Sequence, residues 1–247
     1  MQIAKCTWYV WVIRLVVQIK DASTTFRLLF YIDDLSNKIP RYLSEFQKRL
    51  ITEGDDPKDD FFRVHREFLA DYYRLFDPIA ANCIILSSLD FMNGCVLEES
   101  PTIQDMKMTE ASRSWPDFLR RKTGYAHAYA YMLFPVEANV ELSTYIQVID
   151  DMADVINLVN DVLSWVSLNA RFIVVIDVTF RFHKEDLAGE RNNYVYNRAR
   201  VNQRTVNEIL EEIVDESLAK HEKISKSLEI TSAKALGIWK HFVNGYM

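Results

Sequence analysis

The chain has 247 residues, of which 49% are hydrophobic and 26% are charged, and its formal net charge is −6. This composition is typical of a globular protein rather than a disordered one, and the acidic balance excludes a generally basic nucleic-acid binder. Glycine and proline are rare, with 6 of each. Because both are depleted in helix interiors, we expect long helices with few loops, and we exclude an all-β sandwich or a collagen-like chain.

Neither the cysteines nor the apolar stretches indicate secretion or a membrane span. Cys6, Cys83 and Cys95 form no CxxC pair, so a disulfide scaffold is not expected and a reducing compartment is the default. The most apolar stretch, Cys6–Ile19, is interrupted by Arg14 and is shorter than the ~20 residues that a bilayer requires. We therefore expect a cytoplasmic protein without a transmembrane helix.

Periodic apolar residues predict a series of helices within one domain, residues 1–247. The first candidate is Thr7–Asp34, with a break near Asp21. The other predicted helices are, in chain order, one after Pro40, Asp60–Leu75, Pro78–Glu98, Pro116–Phe134, Glu137–Trp165, Arg204–Leu228 and Thr231–Tyr246. Acidic and polar residues predict a loop at Glu53–Pro57 and loop character over Glu99–Ser114.

One segment, Val166–Phe182, differs from the rest of the chain. It is rich in β-branched and aromatic residues, a composition typical of strands. We therefore expect a strand-like insertion near 166–182 in an otherwise all-α chain.

Three acidic clusters have the form DDxx(D/N), and paired carboxylate oxygens suit Mg²⁺. The first cluster, Asp33, Asp34 and Asn37, follows the apolar run Leu28–Ile32. Carboxylates at the end of a buried helix are costly to bury unless they meet a cation or a water-filled cleft. The second cluster, within 55–60, contains a proline and a lysine, which favours a solvated loop.

The third cluster, Asp150, Asp151 and Asp154, lies in the middle of a predicted helix. At ~100° per residue, Asp150 and Asp154 share one side with Asp161. Asn160 and Ser164 lie together, roughly 100° or more from Asp150 and Asp154. We expect one of these two sides to line a cleft, but not easily both.

Basic residues that could bind an anion are Arg120, Arg121, Lys122 and Lys184. Such a run at a helix end is usually solvated, and it gains significance only if it faces the acidic clusters, because a Mg²⁺-bound diphosphate still needs cations on its outer oxygens. The five histidines show no metal-binding spacing, and no P-loop, dinucleotide-binding or GxSxG motif is present.

Several of these segments together resemble a known family. Phe30–Asp34 is similar to the aspartate-rich motif of class I terpene synthases, and Asn160–Trp165 is similar to the start of their second metal motif, N-D-x-x-S-x-x-K-E. Ser88–Glu98, Trp115–Gly124 and Phe242–Tyr246 resemble the fungal trichodiene synthase family. The set is ordered along the chain, and Arg120 precedes Asn160 by 40 residues.

The resemblance implies an all-α terpenoid cyclase bundle that uses three Mg²⁺ ions to ionise farnesyl diphosphate and releases a sesquiterpene and diphosphate. It implies Mg²⁺ ligation by Asp33, with Asp34 beside it. The resemblance further implies a second set of Mg²⁺ ligands, Asn160, Ser164 and Glu185, and two diphosphate-binding residues, Arg120 and Lys184. No side chain is expected to act as a catalytic acid or base. An aromatic-lined pocket would shelter the carbocation.

The second metal motif departs from the family pattern. Its glutamate is expected at position 168, which is Leu168, and Lys184–Glu185 come 17 residues late, after the strand-like insertion. On an unbroken helix Glu185 would lie roughly 37 Å from Asn160, so the site requires 166–182 to loop out. We hypothesise that 166–182 is a retained intron, which sequencing of the transcript across this region would test.

Other departures lie near the ends of the chain. Asn37 replaces a frequent carboxylate of the first motif, only 32 residues precede Asp33, and the chain ends before the Arg-Tyr pair of the family. We therefore expect a bundle that is incomplete at both ends.

Two other functions remain open. A prenyl diphosphate synthase would use the first and third clusters as its two aspartate-rich motifs, although the side bearing Asn160 and Ser164 competes for the same cleft. The displaced Glu185 is compatible instead with a catalytically inactive terpene synthase-like fragment. The product skeleton and the choice between monomer and homodimer cannot be derived from the sequence.

Overall fold

The structure, a computed structural model, describes residues 40–52, 60–169 and 193–246, and every regular element in these ranges is helical. The all-α prediction is thus confirmed. The α-helices are, in chain order, α1 Pro40–Thr52, α2 Asp60–Leu75, α3 Pro78–Glu98, α4 Pro101–Gln104, α5 Trp115–Thr123, α6 Ala126–Met132, α7 Leu142–Tyr145, α8 Ile149–Asn169, α9 Tyr194–Asn202, α10 Val206–Thr231 and α11 Ala233–Tyr246. Short 3₁₀ turns cover Glu110–Ser112, Val136–Ala138 and Ile146–Val148. The first predicted helix, Thr7–Asp34, and the predicted loop at Glu53–Pro57 lie outside the described residues.

Helix α3 is central to the described bundle and packs against α1, α2, α5 and α6. Asp77 caps its start by accepting a hydrogen bond from the backbone N–H of Ile79, and Pro78 follows in the first turn, where a missing N–H costs nothing. Among the described helices, α3 is long and apolar enough to cross a membrane by length and composition, a test that the core helix of a soluble protein also passes.

Aromatic side chains of α1 and α2 fill the interior beside α3. Phe46, Phe62, Tyr72 and Phe76 are almost completely buried, and the rings of Phe46 and Phe62 lie 5.3 Å apart. The bounds predicted for α2 and α3 are confirmed to the residue. Helix α2 is strongly amphipathic, whereas α3 is predominantly apolar and has a proline in its first turn. These features of their own residues explain why the two helices are the most predictable ones.

The helix predicted over Pro116–Phe134 is interrupted. Helix α5 ends at Thr123, and Tyr125 adopts a left-handed conformation with a φ of 52° before α6 begins. Because a left-handed tyrosine is strained, tertiary contacts must hold it there. Its hydroxyl lies 3.1 Å from that of Tyr72 and 2.9 Å from Oγ of Ser88, and neither contact is visible in a local pattern.

The helix predicted over Glu137–Trp165 begins later than expected. Short turns occupy most of 136–148, and α8 starts at Ile149 and continues to Asn169. The first four residues of the predicted strand-like insertion, 166–169, are therefore helical, while 170–182 lies outside the described residues. Helix α9 was not predicted, because the segment reads as polar.

Helices α10 and α11 complete the described bundle. A reciprocal capping box between Thr205 and Glu208 starts α10. Ile209 and Ile213 are buried on the inner side of this helix, whereas Leu218 is exposed. Helix α8 packs on α6 and α10, so it connects the helices that precede it in the chain with those that follow it.

Candidate functional site

The short helix α5 carries the cations that the sequence analysis singled out. Asp117 lies in its first turn, and Arg120, Arg121 and Lys122 lie in its last turn. An acid at the start and bases at the end complement the helix dipole. Of these three cations, Arg120 and Arg121 reach carboxylates of α8, whereas Lys122 pairs with Asp90 of α3 at 2.8 Å.

Arg120 forms a partly buried ion pair with Asp161 of α8. Its Nε donates to both carboxylate oxygens at 3.0 and 2.9 Å, and the two side chains are only 16% and 13% exposed. Burial raises the pKa of Asp161 above its ordinary value, and the guanidinium of Arg120 opposes that shift. The carboxylate thus orients Arg120 along the surface of α8.

Arg120 also reaches the predicted metal ligand Asn160. Its Nη2 lies 3.5 Å from Oδ1 of Asn160 and 3.4 Å from the backbone carbonyl oxygen of Asn157. The structure thus brings together two of the predicted site residues that are 40 positions apart in the chain. One guanidinium spans the adjacent positions 160 and 161, which point about 100° apart on the helix.

Two glycines permit this close approach of helices. A Cβ atom on Gly124 would lie 1.9 Å from Oδ1 of Asn157 and 2.8 Å from Nη1 of Arg120. A Cβ atom on Gly94 of α3 would lie 2.9 Å from the backbone carbonyl carbon of Lys122. Since no side chain fits at either position, α5 rests directly on α3 and α8.

The carboxylates of the third cluster are already paired with cations. Lys220 of α10 donates to Oδ2 of Asp154 at 2.9 Å, and Lys223 lies 2.6 Å from Oδ2 of Asp151. Asp150, whose side chain is 69% exposed, instead bonds to Nε2 of His127 at 2.8 Å. Asp151 and Asp154 thus share Lys220, whereas Asp150 pairs with α6 instead.

The other predicted site residues lie outside the part of the chain that the structure describes. These are the Mg²⁺ ligands Asp33, Asp34 and Glu185, the diphosphate-binding Lys184, and the side chain of Ser164. In the described ranges, no group of three His, Cys, Asp or Glu side chains is arranged to hold a metal ion.

Asn160 is the predicted Mg²⁺ ligand with a described side chain, and it is chemically suitable for that role. It offers an amide oxygen, which Mg²⁺ accepts as a ligand. A neighbouring oxygen, Oδ1 of the buried Asn157, has no hydrogen-bond partner among the described residues. The residues on this side of α8 thus fit the group that the resemblance implies, without by themselves completing a site.

A polar relay on α9 escaped the sequence analysis. The Tyr194 hydroxyl donates to Asp117 at 2.8 Å, and Arg198 donates to that hydroxyl at 2.6 Å and to Glu212 and Glu216 at 2.5 and 3.0 Å. These partners come from three helices, so no local pattern could reveal the relay. Asn193, whose side chain caps α9 at the N–H of Tyr196, is a local signal that could have located the helix itself.

Comparison with known proteins gives the family. The family model for trichodiene synthase (TRI5) matches residues 1–247. The chain belongs to the trichodiene synthase family. This confirms the resemblance to this family that was drawn from Ser88–Glu98, Trp115–Gly124 and Phe242–Tyr246.

Relatives of this family member carry terpene synthase names. The chain is 32% identical to terpene synthase BipA of Cochliobolus sativus over 89% of this chain and 62% of that protein. It is 29% identical to an (E)-beta farnesene synthase of Metarhizium brunneum, again over 89% of this chain and 62% of that protein. It is 24% identical to monoterpene synthase 25 of Postia placenta, over 82% of this chain and 55% of that protein. The chain thus spans less than two thirds of the length of these relatives.

Proposed function

We propose that the chain is a Mg²⁺-dependent sesquiterpene synthase, which ionises farnesyl diphosphate, cyclises the cation and releases diphosphate. The observation that carries this proposal is the contact between Arg120 and Asn160. Family membership supports a terpene synthase, and the contact joins a diphosphate-binding candidate to a metal-binding candidate.

In this proposal Asp33 and Asp34 of the first motif ligate Mg²⁺, and Asn160, Ser164 and Glu185 of the second motif do so as well. Three Mg²⁺ ions are expected. Bound Mg²⁺ would draw negative charge from the departing diphosphate. Glu185 joins this set only if the segment after α8 loops back.

Arg120 and Lys184 would donate hydrogen bonds to the diphosphate oxygens. Arg120 suits this role because a guanidinium group can donate two parallel hydrogen bonds to phosphate oxygens. Asp161 accepts from Nε rather than from the two terminal amino groups, and it thereby orients the guanidinium. One of these terminal groups already lies at Asn160. For Asn160 to ligate Mg²⁺, Nη2 would leave its Oδ1 and turn to a diphosphate oxygen, while the contact of Nε with Asp161 keeps the guanidinium beside α8.

The pairing of the third cluster disfavours the prenyl diphosphate synthase alternative. Asp151 and Asp154 point at lysines of α10, and Asp150 points at a histidine of α6. A second aspartate-rich metal site would require these carboxylates to exchange their cationic partners for Mg²⁺.

Turnover of farnesyl diphosphate with Mg²⁺, with volatile products identified by gas chromatography–mass spectrometry, tests the proposal. The 247-residue chain is compared with a version lacking Val166–Phe182, each with and without added isopentenyl diphosphate. We expect a sesquiterpene that does not depend on isopentenyl diphosphate. Product from the shortened version alone would show that 166–182 prevents activity. A longer prenyl diphosphate would contradict the proposal. Geranyl diphosphate is assayed in parallel, because one relative is named a monoterpene synthase.

Binding distinguishes an inactive fragment from a chain with the wrong substrate. We expect calorimetry to detect binding of inorganic diphosphate in the presence of Mg²⁺, and Arg120→Ala to weaken it at least tenfold, the loss expected for one charge-assisted contact. Arg74→Ala is the matched control, since Arg74 forms an exposed pair with Asp71 on α2. Folded chains that bind no Mg²⁺–diphosphate would favour the inactive fragment.

A further inference from the structure

The relay on α9 links three helices through two partly buried polar side chains, Tyr194 and Arg198. Tyr194 and Arg198 lie four positions apart on α9, so they share one face. That face meets Asp117 of α5 on one side and Glu212 and Glu216 of α10 on the other. The relay therefore connects the start of α5 to α10.

The polar groups of the relay already have protein partners, which argues against a direct role in substrate binding. Arg198 is 12% exposed and already bonds two carboxylates and a hydroxyl. Burial raises the pKa of Tyr194, so its hydroxyl stays protonated and donates to Asp117 while it accepts from Arg198. A partly buried cation that is paired in this way is poorly suited to binding a diphosphate, since its partners would first have to leave.

The position of Asp117 gives the relay its significance. Asp117 precedes Arg120 by one helical turn on α5, which has only nine residues. A helix this short is marginal on its own and depends on tertiary contacts for its position. Polar contacts hold both ends of α5: Asp117 bonds to α9 at its start, and Arg120 and Arg121 contact carboxylates of α8 near its end.

We propose that Tyr194 and Arg198 are positioning residues, which hold α5 so that the Arg120 guanidinium stays on the surface of α8 beside Asn160. This inference rests on the proposed function, because it assigns Arg120 to diphosphate. Loss of the relay would leave the fold intact but allow α5 to move, and the Arg120 guanidinium would then be less well positioned beside Asn160.

Tyr194→Phe is the direct test, since it removes the hydroxyl and keeps the ring. We expect amide hydrogen exchange within 117–123 to accelerate ~3–10-fold and affinity for inorganic diphosphate with Mg²⁺ to fall by a similar factor, as expected when part of one hydrogen bond to a charged group is lost. Asp117→Ala should behave in the same way. Asp117→Asn, which keeps an acceptor oxygen for Tyr194, should restore most of the protection.

Tyr73→Phe is the matched control, because it removes the hydroxyl that bonds to Asn82 on the exposed surface of α2 and α3. It should change neither the exchange of 117–123 nor diphosphate affinity. A Tyr194→Phe protein that is less stable globally, yet unchanged in α5 exchange and in diphosphate affinity, would overturn the positioning role. If the unmodified chain binds no Mg²⁺–diphosphate, the proposed function fails, and α5 exchange alone decides the relay.

Discussion

His65 shows how the interior treats an ionisable residue that lacks a place in the proposed site. It is almost completely buried, and its ring lies 4.4 Å from that of Phe46 and 6.4 Å from that of Phe68. Burial lowers the pKa of His65 to about 3. The imidazole is therefore neutral in the folded protein, whereas in the unfolded chain it protonates below its ordinary pKa of 6.5.

This difference predicts a stability that falls in acid. Because the folded pKa lies below the unfolded value, the unfolded state gains the proton first as the pH drops through 6.5. Stability is thus lost between pH 6.5 and about 3, by about 2 kcal/mol at pH 5. Urea unfolding at pH 7 and pH 5 measures it. His65→Leu should remove this part of the pH dependence, and His241→Leu, at an exposed position of α11, should leave it. An unchanged slope in His65→Leu would contradict the assignment.

The residues of the candidate site differ in how far sequence could reveal them. Arg120 and Asn160 were found because their spacing matches a family motif, and the structure places them in contact. Asp161 was placed on a different side of the helix from Asn160, yet Arg120 reaches both. The roles of Tyr194 and Arg198 depend on partners up to 77 residues away, and such contacts leave no periodic signal in the chain.

At the scale of elements, prediction succeeded where a helix is defined by its own residues. Helix α2 has one apolar face and α3 is predominantly apolar with a capped, proline-marked start, and the bounds predicted for both were correct. The break between α5 and α6 was missed because Gly124 alone is tolerated in a helix. It is set by the packing of Gly124 on Asn157 and by the buried hydroxyl contacts of Tyr125.

The glycines of these elements allow a comparison of opposite sign. We expect Gly94→Ala to destabilise the protein by about 1–3 kcal/mol, because the new Cβ atom would lie 2.9 Å from backbone of α5. Gly237→Ala on α11 should instead stabilise it by about 0.5–1 kcal/mol, since nothing lies within 4 Å and alanine is the better helix former.

Thermal or urea unfolding of the two glycine variants measures both effects in one series. A neutral Gly94→Ala variant would mean that α3 and α5 are not in backbone contact. Diphosphate affinity is a second measurement, because a displaced α5 also carries Arg120 away from α8.

In the whole molecule, an ion cluster joins α8 to α10. Lys220 lies 2.9 Å from Asp154 and 3.5 Å from Asp151, and Arg121 of α5 lies 4.0 Å from Asp154. Burial tends to lower the pKa of Lys220, but the two carboxylates more than offset this and raise it. The cluster therefore links α5, α8 and α10, and it lies on turns of α8 that precede the Arg120 contacts.

Asp154→Asn separates this structural role from a catalytic one. We expect stability to fall by about 1 kcal/mol, because Lys220 loses a partly buried partner, and Mg²⁺–diphosphate affinity to stay within about threefold, below the effect of losing one hydrogen bond to a charged group. Asn160→Ala should reduce that affinity at least tenfold, in the range found when support of a metal site is lost. Asp71→Asn, in the exposed pair with Arg74 on α2, controls for loss of a carboxylate. A folded Asp154→Asn protein that no longer binds Mg²⁺–diphosphate would place metal at the third cluster and make the prenyl diphosphate synthase the better proposal.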